Sequence, residues 1–575
     1  MVRWRSGNDG IDRNRFKQGM KKMDIEQSTK QLIDALKQSC GSFGLGNDGN
    51  EYKIIVQVFL YKYFNDKFGY EAKRIKGLGD KLKSAEKWDA AYDEFSDGEV
   101  EELFDCLDAS TPRLKPEHTV AHLFNAQNKG DFHKLFDKTL REIGDLNADI
   151  FSITTDARTK ISVFDSELIA STINDSTKRD AFARSLMREL AKPDANFEPM
   201  FAEKYDFFST MFEYLIKDYN KDGGGKYAEY YTPRSIAQIM ARLLVGNDKN
   251  LRGVTCYDPS AGSGTLLMAL AHEIGENHCS IYSQDISQKS SQMLRLNLIL
   301  NNLAHSIRNV VQGNTLLSPG HKEKSGELRK FDFIISNPPF KLDFPDERDE
   351  IAKDSMRFWA GVPNKPKKVN PAKPAMKIFL CFIQHLLYSL KAGKGKGAIV
   401  VPTGFITAKS SIERKILEKV VNEHIVYGCV SMPSNVFATT GTNVSVVFFD
   451  NSRKTDKVVL IDASKLGEEY KDGNNQRTRL RDFEIEKIVE TFIDKKAVED
   501  FSVVVTHDEI KEKGYTLSAG QYFDVKIEHV DISEAEFKER IAAFELDMAE
   551  MSSEGARLDK QIAASLHRLQ FKNSI

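Results

Sequence analysis

From Val254 onward, short β-rich apolar runs alternate with helical patterns, and no other feature restricts the possible folds as strongly. Strand candidates are Val254–Tyr257, Ser280–Gln284, Asn309–Gln312, Phe331–Ser336, Ala398–Pro402, Ile425–Ser431 and Val444–Phe449. Helical patterns lie between several of them, at Thr265–Gly275, Ser287–Asn302, Met376–Leu390 and Ser411–Asn422. Strands alternating with helices predict a doubly wound α/β sheet. In such sheets ligands bind beyond the carboxyl ends of the strands, so the chemistry is sought in the loops that follow them.

Ahead of this region the periodicity is helical. Asn50 to Phe68 carries Ile54, Val58 and Tyr61 at helical spacing, widened by Ile55 and Leu60, and Ile25–Gln38, Ala181–Leu190 and Phe207–Tyr219 repeat the pattern. The character changes at Lys221-Asp-Gly-Gly-Gly-Lys226, where three consecutive glycines make a hinge or loop. Beyond about residue 465 the pattern weakens into polar helices, Asp482–Phe492 among them. Near the end, Phe537, Ile541, Phe544, Met548 and Met551 follow the 4-3-4-3 spacing of a coiled-coil seam, which Leu558, Ile562 and Leu569 extend less regularly. The chain thus divides into a lead-in (1–22), a helical domain (23–217), an α/β domain (218–465), a linking α/β segment (466–532) and a C-terminal helix for partner association (533–575).

Charge limits the function classes. Lysine and arginine total 82 and aspartate and glutamate 84, a formal net charge of −2. A chain that held nucleic acid by bulk attraction would be more basic, so either local patches or another chain supply such a grip. Two basic stretches interrupt the alternation: Ser318–Lys330, and Val362–Lys377 with Lys365, Lys367, Lys368, Lys373 and Lys377 among prolines. The six cysteines form no CxxC pair and the 12 histidines no ligand spacing, so free thiols in a reducing cytosol and no structural metal are expected. No apolar run approaches the roughly 18 residues of a membrane span, and Met1–Lys22 lacks the apolar core of a signal peptide. A cytoplasmic location is expected.

Two loops carry chemistry. Asp258, Pro259, Ser260, Ala261, Gly262, Ser263 and Gly264 follow an apolar strand and open a helix. Glycines at such a turn let a ligand approach the backbone. The third glycine of a dinucleotide fingerprint is replaced by Leu267, and no Gly-Lys-Ser/Thr phosphate loop follows. An acid at the strand end suits a cationic ligand, and S-adenosyl-L-methionine carries an ammonium and a sulfonium. The next strand ends in Asp285, placed to accept from a ribose diol.

The second loop is Asn337-Pro338-Pro339-Phe340, at the end of the apolar run Phe331–Ser336. A rigid Pro-Pro turn is one reading. The other is chemical: the exocyclic amine of adenine is a weak nucleophile that improves when both N–H bonds donate to acceptors. The Asn337 side chain and the Pro338 carbonyl are such acceptors, Pro339 holds Pro338 extended, and Phe340 offers a face for stacking. A base in a duplex would have to be flipped out to reach them.

Together these motifs resemble the gamma-class N6-adenine DNA methyltransferases, and most closely the modification subunit of type I restriction–modification systems. That family carries a Tyr/Phe-rich Thr-Pro-Arg lid ahead of its glycine loop, matched here by Glu229, Tyr230, Tyr231, Thr232, Pro233 and Arg234. The order of lid, glycine loop, Asp285 and Asn-Pro-Pro-Phe is the gamma order. Glu51–Phe64, Met432–Phe437 with Gly441–Asn443, and Tyr515–Tyr522 extend the likeness over most of residues 24–570.

The resemblance implies a Rossmann-like S-adenosylmethionine-dependent methyltransferase core with helical ends. It implies Asn337, Pro338, Pro339 and Phe340 as catalytic, and the lid, the glycine loop, Asp285, Asn314 and Asn337 as cofactor contacts. It also implies double-stranded DNA and a specificity subunit as partners, two modification chains per specificity chain, with a restriction nuclease or translocase as a further subunit. Two departures stand out. Asn314 replaces the family's usual aspartate near the cofactor adenine, and Asp285 the longer glutamate; both keep an acceptor. The alternatives are a self-sufficient RNA or protein methyltransferase and a cofactor-sensing scaffold in a phage-defence complex.

Overall fold

A computed structural model of the chain describes residues 27–46, 49–108, 110–151, 153–154, 160–202, 232–370, 373–437, 443–453, 455–472, 475–523 and 532–567. The lead-in, the Phe207–Tyr219 pattern, the glycine hinge and lid residues Glu229, Tyr230 and Tyr231 lie outside these residues.

Nine strands form one sheet. In chain order they are β1 (Val254–Asp258), β2 (Cys279–Asp285), β3 (Val310–Gln312), β4 (Phe333–Ser336), β5 (Lys396–Pro402), β6 (Val426–Ser431), β7 (Val444–Asp450), β8 (Lys457–Asp462) and β9 (Ser502–Thr506). Their spatial order is β9-β8-β6-β7-β5-β4-β1-β2-β3. β3, β2, β1, β4 and β5 run parallel, with Cys256 opposite Phe333 and Asp258 opposite Ser283. β7 is antiparallel between β5 and β6, and β9 antiparallel at the β8 edge. The central strands are buried on both faces, as their near-continuous apolar runs require. Strand order reverses between β1 and β4, and sheets of this kind bind ligands at the carboxyl ends of the strands where that happens.

All seven strand candidates are present, within two residues of their expected bounds. The region past 465 holds more than polar helices. A hairpin of Glu468–Asp472 and Asn475–Arg479 packs through Thr478 N–H on Asn435 O (3.1 Å), and β9 joins the main sheet. Val503-Val-Val505 was a legible β-branched run. So was Val458-Val-Leu-Ile461 in β8, ahead of that region.

The described N-terminal residues are chiefly helical. The Gly49–Ala72 helix is hidden on nearly all sides: Ile54, Ile55, Val58, Phe59, Tyr61, Phe64 and Phe68 are fully buried. Its apolar surface is therefore broader than a stripe, because helices Glu198–Ala202 and Leu168–Thr172 pack against it and Tyr61 meets Phe136 of helix Phe132–Leu146 edge-on. Tyr63 donates its hydroxyl to Leu300 O (3.1 Å), at the end of the Gln288–Leu300 helix beside the sheet.

Residues 523–575 form a second compact unit, of which the described part is the Glu534–His567 helix. Ser533 caps it reciprocally with Glu536. Its seam side chains are exposed, Phe544 at 69 % and Met551 at 67 %. No helix among the described residues is long and apolar enough to cross a membrane.

Candidate active site at the carboxyl edge of the sheet

Asp258 ends β1 and is 1 % exposed. Its Oδ1 accepts from Ser260 N–H (2.9 Å) and the Ser260 hydroxyl (3.4 Å), and Ser260 Oγ lies 2.7 Å from Ser336 Oγ at the tip of β4. Among the described residues no lysine or arginine pairs with it. Burial pushes its carboxyl up to about 7, with the nearby Asp285 charge adding to the rise.

The loop after Asp258 needs its glycines. Gly262 and Gly264 have φ of +53° and +87°. A Cβ on Gly264 would lie 2.0 Å from Leu294 Cδ1, so the loop packs directly onto the Gln288–Leu300 helix. The same helix supplies Asn297, 2 % exposed, whose Nδ2 donates to Ser263 O at 3.0 Å. Sequence reading missed Asn297; its signal was a lone amide among Leu294, Leu296, Leu298 and Ile299.

Asp285 ends β2. Its Oδ2 accepts from Gly262 N–H (2.9 Å) and its Oδ1 from Ser287 N–H (2.8 Å), so it braces the glycine loop. Burial raises its pKa. Ile286, next in sequence, is 66 % exposed, an apolar side chain at the strand tip that the motif reading passed over. Asn314 lies in the turn after β3. Its amide oxygen accepts from Leu316 N–H (3.1 Å) and Leu317 N–H (3.2 Å), and Gly313 N–H donates to Asp285 O (2.8 Å). The oxygen expected to face a ligand thus already closes its own turn.

Asn337 follows β4 directly. Its Nδ2 donates to Thr232 Oγ1 at 3.1 Å, joining it to a lid residue about 100 positions earlier. Thr232 is buried and Pro233 caps the Arg234–Val245 helix, in which Arg234 is the first residue. Pro338 is buried, Pro339 exposed and Phe340 half-buried. The Phe340 ring meets the Phe379 ring edge-on at 6.4 Å, and Phe379 meets Phe405 likewise at 6.0 Å.

The basic stretch after this loop is only partly spoken for. Lys365 pairs with Asp349 (2.7 Å) and Lys377 with Glu413 (2.5 Å). Lys367, Lys368 and Lys373 are at the surface without an ion pair among the described residues.

The fold is that of known methyltransferase subunits. The structure superposes on the type I restriction–modification system methyltransferase subunit from Streptococcus thermophilus with a TM-score of 0.65 and 21 % identity, covering 88 % of this chain and 100 % of that one. In sequence it is 29 % identical over 334 residues to the type I restriction enzyme MpnII methylase subunit of Mycoplasma pneumoniae, covering 57 % of this chain and 59 % of the relative. It is 27 % identical over 383 residues to the MjaIX methylase subunit of Methanocaldococcus jannaschii, covering 64 % of each. The match therefore spans less than two thirds of either relative. The N-6 DNA Methylase family profile matches residues 203–531, a stretch that takes in Thr232, the glycine loop, Asp285 and Asn337–Phe340, and this chain belongs to that family.

Proposed function

We propose that the chain transfers a methyl group to the N6 amine of a flipped-out adenine in double-stranded DNA, as the modification subunit of a type I restriction–modification complex. The observation that carries this reading is the meeting of the β1 and β4 tips. There a buried carboxylate without a cationic partner among the described residues, Asp258, stands one Ser260–Ser336 contact away from the Asn337-Pro-Pro-Phe340 loop.

The donor set fits S-adenosyl-L-methionine. Asp258 lacks a positive partner among the described residues, Asp285 keeps unused acceptor capacity beside Gly262, and Gly262 and Gly264 hold the positive φ that the turn between them requires. When bound, the cofactor supplies an electrophilic methyl on a sulfonium that departs as a neutral thioether. Asp258 and the glycine loop hold its methionine end, and Asp285 and Ile286 its nucleoside end.

The chain's own groups prepare the acceptor. Asn337 spends its amide N–H on Thr232, which leaves Oδ1 to accept from the adenine amine. The Pro338 carbonyl accepts the other N–H. Phe340, its ring edge-packed by Phe379, carries the face of the base. This fixes the amine for in-line attack, which is the main catalytic work here. By the family resemblance, Glu229, Tyr230, Tyr231, Thr232, Pro233 and Arg234 would contact the cofactor, and the Asn314 turn would lie near its adenine. Lys367, Lys368 and Lys373 lie downstream of the catalytic loop to meet phosphates.

The apolar seam of the C-terminal helix is the docking element for a specificity subunit, with two modification chains per specificity chain and a restriction nuclease or translocase joining the complex in the cytoplasm. Replacing Asn337 with alanine is expected to lower methyl transfer by about 10²–10³-fold or more with cofactor affinity unchanged; undiminished methylation by this variant would refute the assignment. Removing residues 533–575 is expected to abolish co-purification with the specificity subunit and spare cofactor binding, as read by calorimetry.

A further inference from the structure

Arg357 lies in the excursion between Phe340 and the Phe379–Ser389 helix, and it is 3 % exposed. A buried guanidinium is costly and persists where its donors meet fixed acceptors. Here Nη1 donates to Thr315 O at 3.3 Å and Nη2 to Leu316 O. Among the described residues Arg357 pairs with one carboxylate, Asp354, whose side chain is 43 % exposed, with Oδ2 at 3.1 Å from Nε. Arg357 is therefore bound chiefly to main-chain carbonyls of the turn that Asn314 caps.

That turn is itself tied to the cofactor loop. Thr315 donates its hydroxyl to Pro259 O at 2.7 Å, and Gly313 N–H reaches Asp285 O at 2.8 Å. On its other side the Arg357 segment is pinned to the helix that backs Phe340. Ala360 N–H donates to Gln384 Oε1 (2.8 Å), and Gln384 Nε2 donates to Gly361 O (3.0 Å). Gln384 is fully buried in the same helix as Phe379. One hydrogen-bonded scaffold so runs from Pro259 through Thr315 and Arg357 to the helix behind the catalytic phenylalanine.

We propose that Arg357 is a positioning residue: its forked guanidinium binds the segment following Asn337–Phe340 to the Asn314–Leu317 turn, so that the cofactor end and the base end of the site move as one body. This rests on the methyltransferase reading above. Hydrocarbon of equal size would fill the space but leave two buried carbonyls without donors. Lysine carries the charge without the fork. The consequence is coupling: cofactor binding should raise the protection of residues 354–361, which the Arg357 fork links to Thr315 and Leu316.

The test is hydrogen exchange on the full chain with and without S-adenosyl-L-methionine, joined to cofactor calorimetry and to KM and kcat in the complex with the specificity subunit. In the wild type, cofactor is expected to protect both 258–265 and 354–361. Arg357→Met is expected to keep the first protection, lose the second, and raise the cofactor KM about tenfold. Arg357→Lys should recover less than half of that loss. Should Arg357→Met fail to fold, Thr315→Val cuts the same scaffold at Pro259 and is expected to uncouple the same segments. Intact cofactor protection of 354–361 in either folded variant, or full recovery by lysine, overturns the proposal. A wild-type chain that binds no cofactor overturns the methyltransferase reading and this proposal together; equal binding and coupling in wild type and variants overturns this one alone.

Discussion

Asp258, at the carboxyl end of β1, and Asp332, just before the amino end of the neighbouring β4, are both buried, and the chain treats them in opposite ways. Asp332, 6 % exposed just before β4, accepts from Thr255 N–H (3.0 Å) and the Thr255 hydroxyl (2.8 Å) and pairs with Lys391 (2.5 Å) and Lys394 (3.0 Å). Burial opposes its ionisation, but Lys391, Thr255 and Lys394 outweigh burial and hold the carboxyl well below the usual range. Asp258 has serine and backbone donors and, among the described residues, no cation, and is pushed up to about 7. The amino edge completes its own charge balance. The carboxyl edge leaves a deficit, and a buried deficit of one positive charge is what a cationic ligand relieves.

The sharpest way to break this comparison is to neutralise each acid. Asp258→Asn is expected to weaken cofactor binding by about 10–100-fold, the worth of a charge-assisted contact, while leaving the unliganded chain as stable as before or more so. Asp332→Asn should do the reverse: a loss of about 3 kcal/mol in urea unfolding, with cofactor affinity per folded molecule unchanged. Equal stability losses for both variants would erase the distinction between the edges.

pH sharpens the comparison further. Because the folded pKa of Asp258 is raised, its contribution to stability is fully present below the ordinary carboxylate range and is lost as pH rises through about 7. Over the same interval the ionised form accumulates, so cofactor affinity should climb with pH and level off above about 7. Asp332 has a depressed pKa, so its contribution is present above the ordinary carboxylate value and is lost as pH falls through its folded pKa. Melting profiles of the two asparagine variants against wild type, from acid to neutral pH, should therefore diverge in opposite directions. The smallest effect expected is at Asn297→Ala, which frees Ser263 O: a cofactor KM raised by roughly a few-fold, with kcat little changed in steady-state assays.

Much of this architecture was legible. Strands buried on both faces read as apolar runs, and the glycine turn and the Pro-Pro loop announce themselves because few residues tolerate those backbones. Val458–Ile461 and Val503–Val505 were legible too, the second of them a short run between two helices. Asn314 shows the limit of motif reading. An asparagine two residues ahead of an amide closes an Asx turn as readily as it meets a ligand, and here its oxygen is taken by Leu316 and Leu317.

The amino-acid sequence by itself determined the alternation of strands and helices, the residues at the strand tips, and the chemical kinds of acceptor available there, because those depend on local backbone preference and local apolar period. Only the tertiary structure decided which tips are neighbours. That β4 lies beside β1, bringing Ser336 to Ser260 and Asn337 to Thr232, depends on strand order. That Asp332 meets Lys391, and that Arg357 reaches Thr315, depends on crossings of roughly 40 to 60 residues. Such pairings are paid in chain entropy and recovered in burial across the whole sheet, and no local pattern records them.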